Sequence, residues 1–279
     1  GSASINISGN WDASVGTFTA GSSTVTFSGG GSTITTGGTA NAFYDMTVGA
    51  TGTKTLSGDL QVNNLLQVAS GTLAIGANDV TVAEEISIGV DGTGSVAQTG
   101  GAVEIQYLIV GGRLSGTPAS GDGFYNQSGG SVSVSEGLAI GFYVDSSGSY
   151  TISAGSINAV GSGLAVGYVG DGTLTQTGGT VTATDLYLAI DSRSSGLYTL
   201  SGGSLDVDNI YADQSGAGTL AMSGTATLNV SGAWNFSTGL FTAGTRTVTF
   251  DGGDATITTG GTGNAFYNVT VSSTGTKTL

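Results

Sequence analysis

The sequence predicts an all-β protein, a right-handed parallel β-solenoid (β-helix) with about 24 residues and three short strands per coil. Two repeats of different length and a glycine-rich composition support this fold class. Glycine contributes 52 of the 279 residues and proline only one, which is typical of many short strands joined by tight turns. No window shows the 3.6-residue pattern of a capped helix.

The long repeat pairs the two ends of the chain. Residues 1–56 align without a gap with residues 224–279, a separation of 223, and Trp11 falls on Trp234. About two thirds of positions 11–56 are identical between the copies. We therefore predict one continuous β-solenoid over 1–279, in which the two end segments are homologous copies and 57–223 is an array of shorter coils.

The chain spans one period and the opening quarter of the next, since 279 − 223 = 56. This predicts a window on a longer repetitive polypeptide. The alternative is a short protein whose two ends happen to be homologous.

The short repeat occupies the middle of the chain, where a glycine begins each unit. Each unit consists of a strand, a glycine turn, a second strand, a short link, a third strand and an aspartate-rich turn. Such units bury their apolar face only by stacking on their neighbours. A β-propeller is the competing fold, but its blades need about 40 to 50 residues. The initial glycines are spaced by 23, 29, 25, 24, 24 and 22 residues: Gly71, Gly94, Gly123, Gly148, Gly172, Gly196 and Gly218.

Stacking the units on these glycines aligns apolar residues into columns that we expect to face inward. At about 4.8 Å between coils, one 223-residue period makes roughly nine coils and a rod about 45 Å long. The first strand supplies Leu73, Val96, Tyr125, Tyr150, Leu174, Tyr198 and Leu220, then Ile75, Gln98, Gln127, Ile152, Gln176, Leu200 and Met222. The second strand supplies Val103, Val132, Ile157, Val181 and Leu205. The third supplies Ile86, Leu108, Leu138, Leu164, Leu188 and Ile210, then Ile88, Val110, Ile140, Val166, Ile190 and Ala212.

Several segments carry a family resemblance. The sequence FYDMTV at 43–48 and its copy FYNVTV at 266–271 resemble repeats of very large bacterial cell-surface proteins and adhesins. The unit GTLTQTGGTV at 172–181 resembles the β-strand repeats of autotransporter passengers. The resemblance covers nearly the whole chain and implies an exported, extended structural or adhesive role, with no catalytic residue transferred.

Composition excludes several kinds of chemistry. The chain has no His and no Cys, which rules out imidazole or thiol nucleophiles, typical zinc sites and disulfides within it. Its net charge is −14 and its five basic residues are scattered, so we expect neither nucleic acid nor an anionic membrane surface as a partner. No run of 18 apolar residues predicts membrane insertion.

The strongest polar pattern is an aspartate in the turn after the third strand. Stacked carboxylates about 5 Å apart suit Ca²⁺, so a calcium ladder is a weak hypothesis on an otherwise cofactor-free chain. The alternative is that Asp stabilises turns by bonding to nearby backbone amides. The five residues are Asp91, Asp145, Asp171, Asp191 and Asp213.

Two further patterns bear on carbohydrate chemistry. The nearest carboxylate pairs for glycoside hydrolysis are Asp206 with Asp208 and Glu84 with Glu85, but no basic residue is predicted beside them, and we predict no enzymatic activity. An aromatic cluster can form a sugar-stacking platform, although the alternation favours core packing for several of its members. The cluster contains Phe124, Tyr125, Phe142, Tyr143, Tyr150, Tyr168, Tyr187 and Tyr198.

The sequence thus predicts a structural repeat segment of an extracellular filament, stalk or adhesin at the cell surface. Its main expected partner is itself, stacked end to end in a longer fibre. The alternative is a carbohydrate-binding or carbohydrate-cleaving β-helix that recognises surface glycans.

Overall fold

The computed structural model describes residues 2–117, 119–212 and 214–279. It confirms an all-β parallel β-solenoid of about 12 turns with almost no helix. Two 3₁₀ helices, Thr39–Asn41 and Thr262–Asn264, each make a single turn, and no helix in the described part has the length and hydropathy to cross a membrane.

Short strands follow one another along the whole chain. The first ten are β1 (Ser4–Ile7), β2 (Trp11–Asp12), β3 (Thr24–Phe27), β4 (Ser32–Thr35), β5 (Asp45–Ser57), β6 (Leu60–Val62), β7 (Leu65–Gly76), β8 (Val80–Ile88), β9 (Thr93–Gln98) and β10 (Ala102–Val110). The next eight are β11 (Asp122–Gln127), β12 (Ser131–Ile140), β13 (Ser147–Ile152), β14 (Ser156–Val166), β15 (Asp171–Gln176), β16 (Thr180–Leu188), β17 (Ser195–Leu200) and β18 (Ser204–Tyr211). The last eight are β19 (Ala217–Met222), β20 (Thr227–Val230), β21 (Trp234–Asn235), β22 (Leu240–Thr242), β23 (Thr247–Phe250), β24 (Ala255–Thr258), β25 (Asn268–Val271) and β26 (Lys277–Thr278).

Parallel pairing stacks each strand on its equivalent in the next coil. The corner ladder, which carries the repeated glycines, runs through the second part of β7 and then β9, β11, β13, β15, β17, β19 and β22. The middle ladder joins β6 to the first halves of β8, β10, β12, β14, β16 and β18, then β20, β23 and β25. The outer ladder begins with β1, β3 and the first parts of β5 and β7. It continues through the second halves of β8, β10, β12, β14, β16 and β18 and ends with β21, β24 and β26.

The two homologous segments lie in different ladders. β1 belongs to the outer ladder through its pairing with β3, whereas its copy β20 pairs with the first half of β18 and so belongs to the middle ladder. The 223-residue repeat therefore preserves local structure while moving each strand to a neighbouring face of the solenoid.

The repeated glycines stand in register, as predicted, from Gly71 to Gly218 along the corner ladder. From Gly94 onward, each packs against the carbonyl that ends the outer-ladder strand of the preceding coil. A Cβ on Gly172 would lie 2.3 Å from the Ile140 carbonyl oxygen, and one on Gly196 would lie 2.0 Å from that of Val166. Glycine is therefore required where the chain turns this corner.

The predicted inward columns are confirmed for the first and second strands, whose members are all buried. The third column is wrong at one coil, because Leu186 and not Leu188 pairs with Leu164, and Leu188 pairs with Val166. The link between the middle-ladder half and the outer-ladder half is two residues longer in β14 than in β16. An equal residue count from the corner glycine therefore ends two residues too far along β16. Ile190 consequently packs outside the main core.

Buried glutamines link consecutive coils through tyrosines. Each side-chain carbonyl accepts a hydrogen bond from a tyrosine hydroxyl of the next coil. Each amide nitrogen donates to two backbone carbonyls at the adjoining turn. The pairs are Tyr125 with Gln98 at 3.0 Å, Tyr150 with Gln127 at 2.8 Å and Tyr198 with Gln176 at 2.5 Å.

The first homologous copy also buries a charge that sequence reasoning missed. The Lys54 side chain is fully buried, and its Nζ donates to the carbonyls of Gly29 at 2.7 Å, Ala50 at 3.0 Å and Thr51 at 3.3 Å. Desolvation lowers the pKa of this ammonium group. Lys54 therefore satisfies a turn that would otherwise leave carbonyl groups unpaired.

Candidate functional site

A shallow groove of about 430 Å³ lies on the outer ladder between β10 and β16. Its floor is made of small side chains from two successive coils. Gly137 and Gly163 are register partners, as are Ala139 and Ala165. Because these four residues carry at most a methyl group, no long side chain rises from this part of the sheet. The two alanines are buried beneath Phe142, Tyr187 and Ile190, whereas the two glycines are partly exposed.

Tyrosines stand at both ends of this floor and lean over it. Tyr107 pairs with Gly137, and a Cβ on that glycine would lie 3.5 Å from the Tyr107 ring. At the other end, a Cβ on Gly163 would lie 3.3 Å from the Tyr187 ring. Tyr187 is further supported by Tyr211, whose ring is stacked on it at 5.3 Å between centroids.

The long side of the groove is an apolar wall formed by residues in the turns after the outer-ladder strands. Phe142 and Tyr168 stack with centroids 5.0 Å apart and planes inclined by 21°. Ile190 and Leu114 extend the same wall. Tyr168 is 39% exposed and Leu114 44% exposed, so this wall presents apolar surface to solvent.

A buried carboxylate fixes the turn that carries Leu114. Glu85, only 3% exposed, accepts hydrogen bonds from the backbone amides of Leu114 at 2.9 Å and Ser115 at 3.0 Å, and a further one from the Ser87 hydroxyl. Because an ionised carboxylate can accept several such bonds, Glu85 holds the turn against the sheet. The groove is thus closed at this corner by a tethered loop.

One acidic residue lines the groove and a second lies next to its floor. Glu136 is exposed and lines the groove, while Asp185 pairs with Gly163 and accepts a hydrogen bond from the Asn209 amide at 2.8 Å. No Lys or Arg side chain lines this groove in the described part of the chain. The arrangement can stack flat apolar faces on rings and accept hydrogen bonds from hydroxyl groups at its edge.

The predicted aspartate ladder is only partly brought together. Asp145 and Asp171 line one depression with Asp122 and Arg193. Asp171 accepts hydrogen bonds from the Ser195 hydroxyl at 2.6 Å and backbone amide at 3.2 Å. Since Ser147 and Asp171 are register partners, as are Asp122 and Ser147, serines alternate with the acids along this edge.

Asp91 and Asp191 are not among the residues that line this depression. Asp91 occupies a left-handed backbone position at φ 61°, a turn role. Asp191 is paired with Arg193 at 2.9 Å, and hydrogen bonds from the Arg193 side chain and then its backbone lower the pKa of this carboxyl. Asp213 lies outside the described residues. Within the residues described, no group of three or more acidic side chains is placed to hold a metal ion, and the calcium ladder stays a prediction.

The two carboxylate pairs considered for glycoside hydrolysis have structural partners. Asp206 accepts a hydrogen bond from Asn229 at 2.5 Å, and Asp208 accepts one from Ser231 at 2.6 Å, so both tie β18 to the coil that follows. Glu84 is exposed whereas its neighbour Glu85 is buried, which places the two side chains in different environments.

The aromatic cluster divides between the inside and the outside of the solenoid. Tyr125, Tyr150 and Tyr198 are core residues, as the alternation predicted. Phe142, Tyr168 and Tyr187 line the outer groove. A sequence signal for the groove exists in the outward positions of the third strand, where Gly137 and Gly163 follow Tyr107, but it emerges only once the register is known.

Comparisons with protein families, with curated proteins and with solved structures find no match to this chain.

Proposed function

We propose that this chain is a structural segment of an extracellular filament, stalk or adhesin, of the kind built from repeats at bacterial cell surfaces. We also propose that its coil is right-handed, with about 24 residues and three short strands per turn. The spacing of the corner glycines supports the coil length, and the strong preference of parallel β connections for a right-handed path supports the handedness.

One observation carries the structural role. Parallel ladders extend from β1 to β26 around one main core of buried apolar side chains, and a smaller cluster around Ile109, Ala139 and Ala165 lies outside that core. Backbone hydrogen bonds between coils therefore point along the rod, and each coil is stabilised by its neighbours. A fold of this kind supplies length and rigidity in place of an enclosed pocket.

End-to-end stacking is supported by a difference between the homologous copies. In the first copy, Met46 and Val48 are fully buried because β7 covers β5. In the second copy, Val269 is 48% and Val271 51% exposed, and within the described residues β25 pairs only with β23. An exposed apolar strand edge is a template for pairing with a further coil, and we propose that a second copy of the chain can supply that coil.

The test is the assembly state of the purified chain over a range of concentrations. We expect sedimentation velocity to show growth into longer rods, and electron diffraction of those rods to give an axial repeat near 4.8 Å. Val269→Lys should abolish growth, because it places a charge on the stacking face. A chain that remains monomeric at every concentration contradicts end-to-end stacking.

Thr270→Lys is the matched control. It adds the same charge one residue away, on the side of the strand that points outward. Assembly should survive this change. Equal loss of assembly in both variants would show that net charge, and not the stacking face, governs the association.

A further inference from the structure

We propose that the groove between β10 and β16 is a binding site for a neutral oligosaccharide. This goes beyond the structural role, since it concerns the outer face of the rod and not its ends. The groove has aromatic walls, a floor of small residues and an acidic side chain in its lining, and the sheet beneath it is fully paired.

The walls and floor suit the flat apolar faces of sugar rings. Tyr107 and Tyr187 stand at opposite ends of the floor, and the Phe142–Tyr168 stack forms its side. Tyr107, Gly137, Gly163 and Asp185 are successive register partners in four neighbouring coils. The distance from the first coil to the fourth is about 14 Å, which accommodates about two or three sugar rings. Aromatic rings combine a large apolar contact with fixed geometry, as such stacking requires.

The acidic side chains select hydroxyl groups. The carboxylate of Glu136 is a hydrogen-bond acceptor in the groove lining, and Asp185, the register partner of Gly163, lies beside the floor with one oxygen bonded to Asn209. A saccharide hydroxyl can donate to them, whereas a lipid chain would desolvate them without compensation. The absence of Lys and Arg from the described groove lining, together with the net charge of −14, disfavours acidic sugars and anionic lipid headgroups.

The sheet beneath the groove offers no edge to a peptide. The outer-ladder half of β12 is paired with β10 on one side and β14 on the other, so its backbone groups are already bonded. A peptide could not add as a further strand here. Recognition must use side chains, which is how saccharides are bound by stacking and hydroxyl contacts.

The test uses the whole chain and defined probes. Calorimetric titration with the neutral hexasaccharides of β-1,4-glucose, β-1,3-glucose and β-1,4-mannose should detect binding of at least one. Tyr168→Ala should weaken that binding by about tenfold or more, because it removes half of the stacked wall. Gly137→Val should do the same by filling the floor, and the backbone of Gly137 is outside the left-handed region that would strain a side chain.

Phe124→Ala is the matched control, because Phe124 is a comparably exposed aromatic (38%) on the corner ladder and away from the groove. Its affinity should equal that of the unmodified chain, and circular dichroism should show all three variants folded. Three results would each overturn the site: no neutral hexasaccharide binds, hexagalacturonate or phosphatidylglycerol vesicles bind as tightly, or Tyr168→Ala and Gly137→Val bind like the unmodified chain.

Discussion

At the residue scale, the corner glycines show that closely spaced backbone segments can leave room for glycine and for no larger residue. Gly172 lies where β15 passes the end of β12, and the position of a Cβ there is within 2.1 Å of the Gly167 amide nitrogen as well as 2.3 Å from the Ile140 carbonyl oxygen. Both obstacles are backbone atoms, which cannot rotate away. A methyl group can therefore enter only by separating two coils.

Gly172→Ala should consequently lower the free energy of unfolding by about 1–3 kcal/mol, the range expected for overpacking in a rigid interior. The control is Gly30→Ala, since a Cβ at Gly30 meets no atom within 4 Å. Urea unfolding followed by circular dichroism measures both. An equal change in the free energy of unfolding for the two variants would mean that the backbone around Gly172 can move to accept a methyl group. That result would contradict the close packing of this corner.

The core tyrosines make stability depend on alkaline pH. Burial, followed by the repulsion between its phenolate and that of Tyr125, raises the pKa of Tyr150, and burial followed by the charge of Asp206 raises the pKa of Tyr198. In the unfolded chain a phenol ionises near pH 10, so above that pH the unfolded state loses protons that the folded state keeps. Stability from these groups is complete below about pH 10 and declines as pH rises above it.

We expect each such tyrosine to remove about 1.4 kcal/mol of stability per pH unit above pH 10. Urea unfolding between pH 8 and pH 11.5, with tyrosinate absorbance recorded in parallel, measures this slope. Tyr150→Phe should be less steep than the unmodified chain. The same slope in both proteins would show that other groups control alkaline unfolding.

At the scale of the element, tyrosine and glutamine occur together across coils. Each of Gln98, Gln127 and Gln176 has a register partner in the next coil. Two residues before that partner the next coil carries a tyrosine, and this tyrosine bonds to the glutamine. Where the earlier coil has Ile152, the later one has Leu174. The pair is thus a unit: a buried amide oxygen requires a hydroxyl donor, and an apolar side chain requires an apolar neighbour.

Double substitution should therefore cost less than the sum of the single ones. Gln176→Leu orphans the Tyr198 hydroxyl, and Tyr198→Leu orphans the Gln176 amide oxygen, each at about 1–3 kcal/mol beyond the change in packing. The double variant orphans neither and reproduces the natural Ile152 and Leu174 arrangement. A coupling energy near zero in the double-mutant cycle would contradict this pairing.

The sequence predicted the repeated part of this architecture well, because alternation and recurring glycines report directly on which side chains point inward. It failed where a coil changed length within a link: the two extra residues of β14 moved the predicted column from Leu186 to Leu188. The groove escaped prediction for a related reason. Gly137 and Gly163 act together only through register, and an outward glycine in a single strand carries no signal of its own.

At the scale of the whole molecule, the homologous segments indicate how the rod is wound. Following the outer ladder from β1, the chain reaches the second half of β18 in nine steps, through β3, β5, β7, β8, β10, β12, β14 and β16. The corner-ladder strand β19 and the middle-ladder strand β20 then follow. With the three strands per turn that we propose, one 223-residue period is nine turns and two thirds, or about 46 Å.

Successive copies of the period should therefore present the same surface in different directions. A tandem chain of four copies of residues 1–223, each carrying Ser133→Cys, can be labelled with gold because the natural chain has no cysteine. Ser133 is exposed on the middle ladder. Electron micrographs should show labels about 46 Å apart along the rod, each advanced by two thirds of a revolution, so that every third label returns to the same side. Labels confined to one side would mean that each period makes a whole number of turns. In that case the move from the outer to the middle ladder, seen between β1 and β20, would not be repeated from copy to copy.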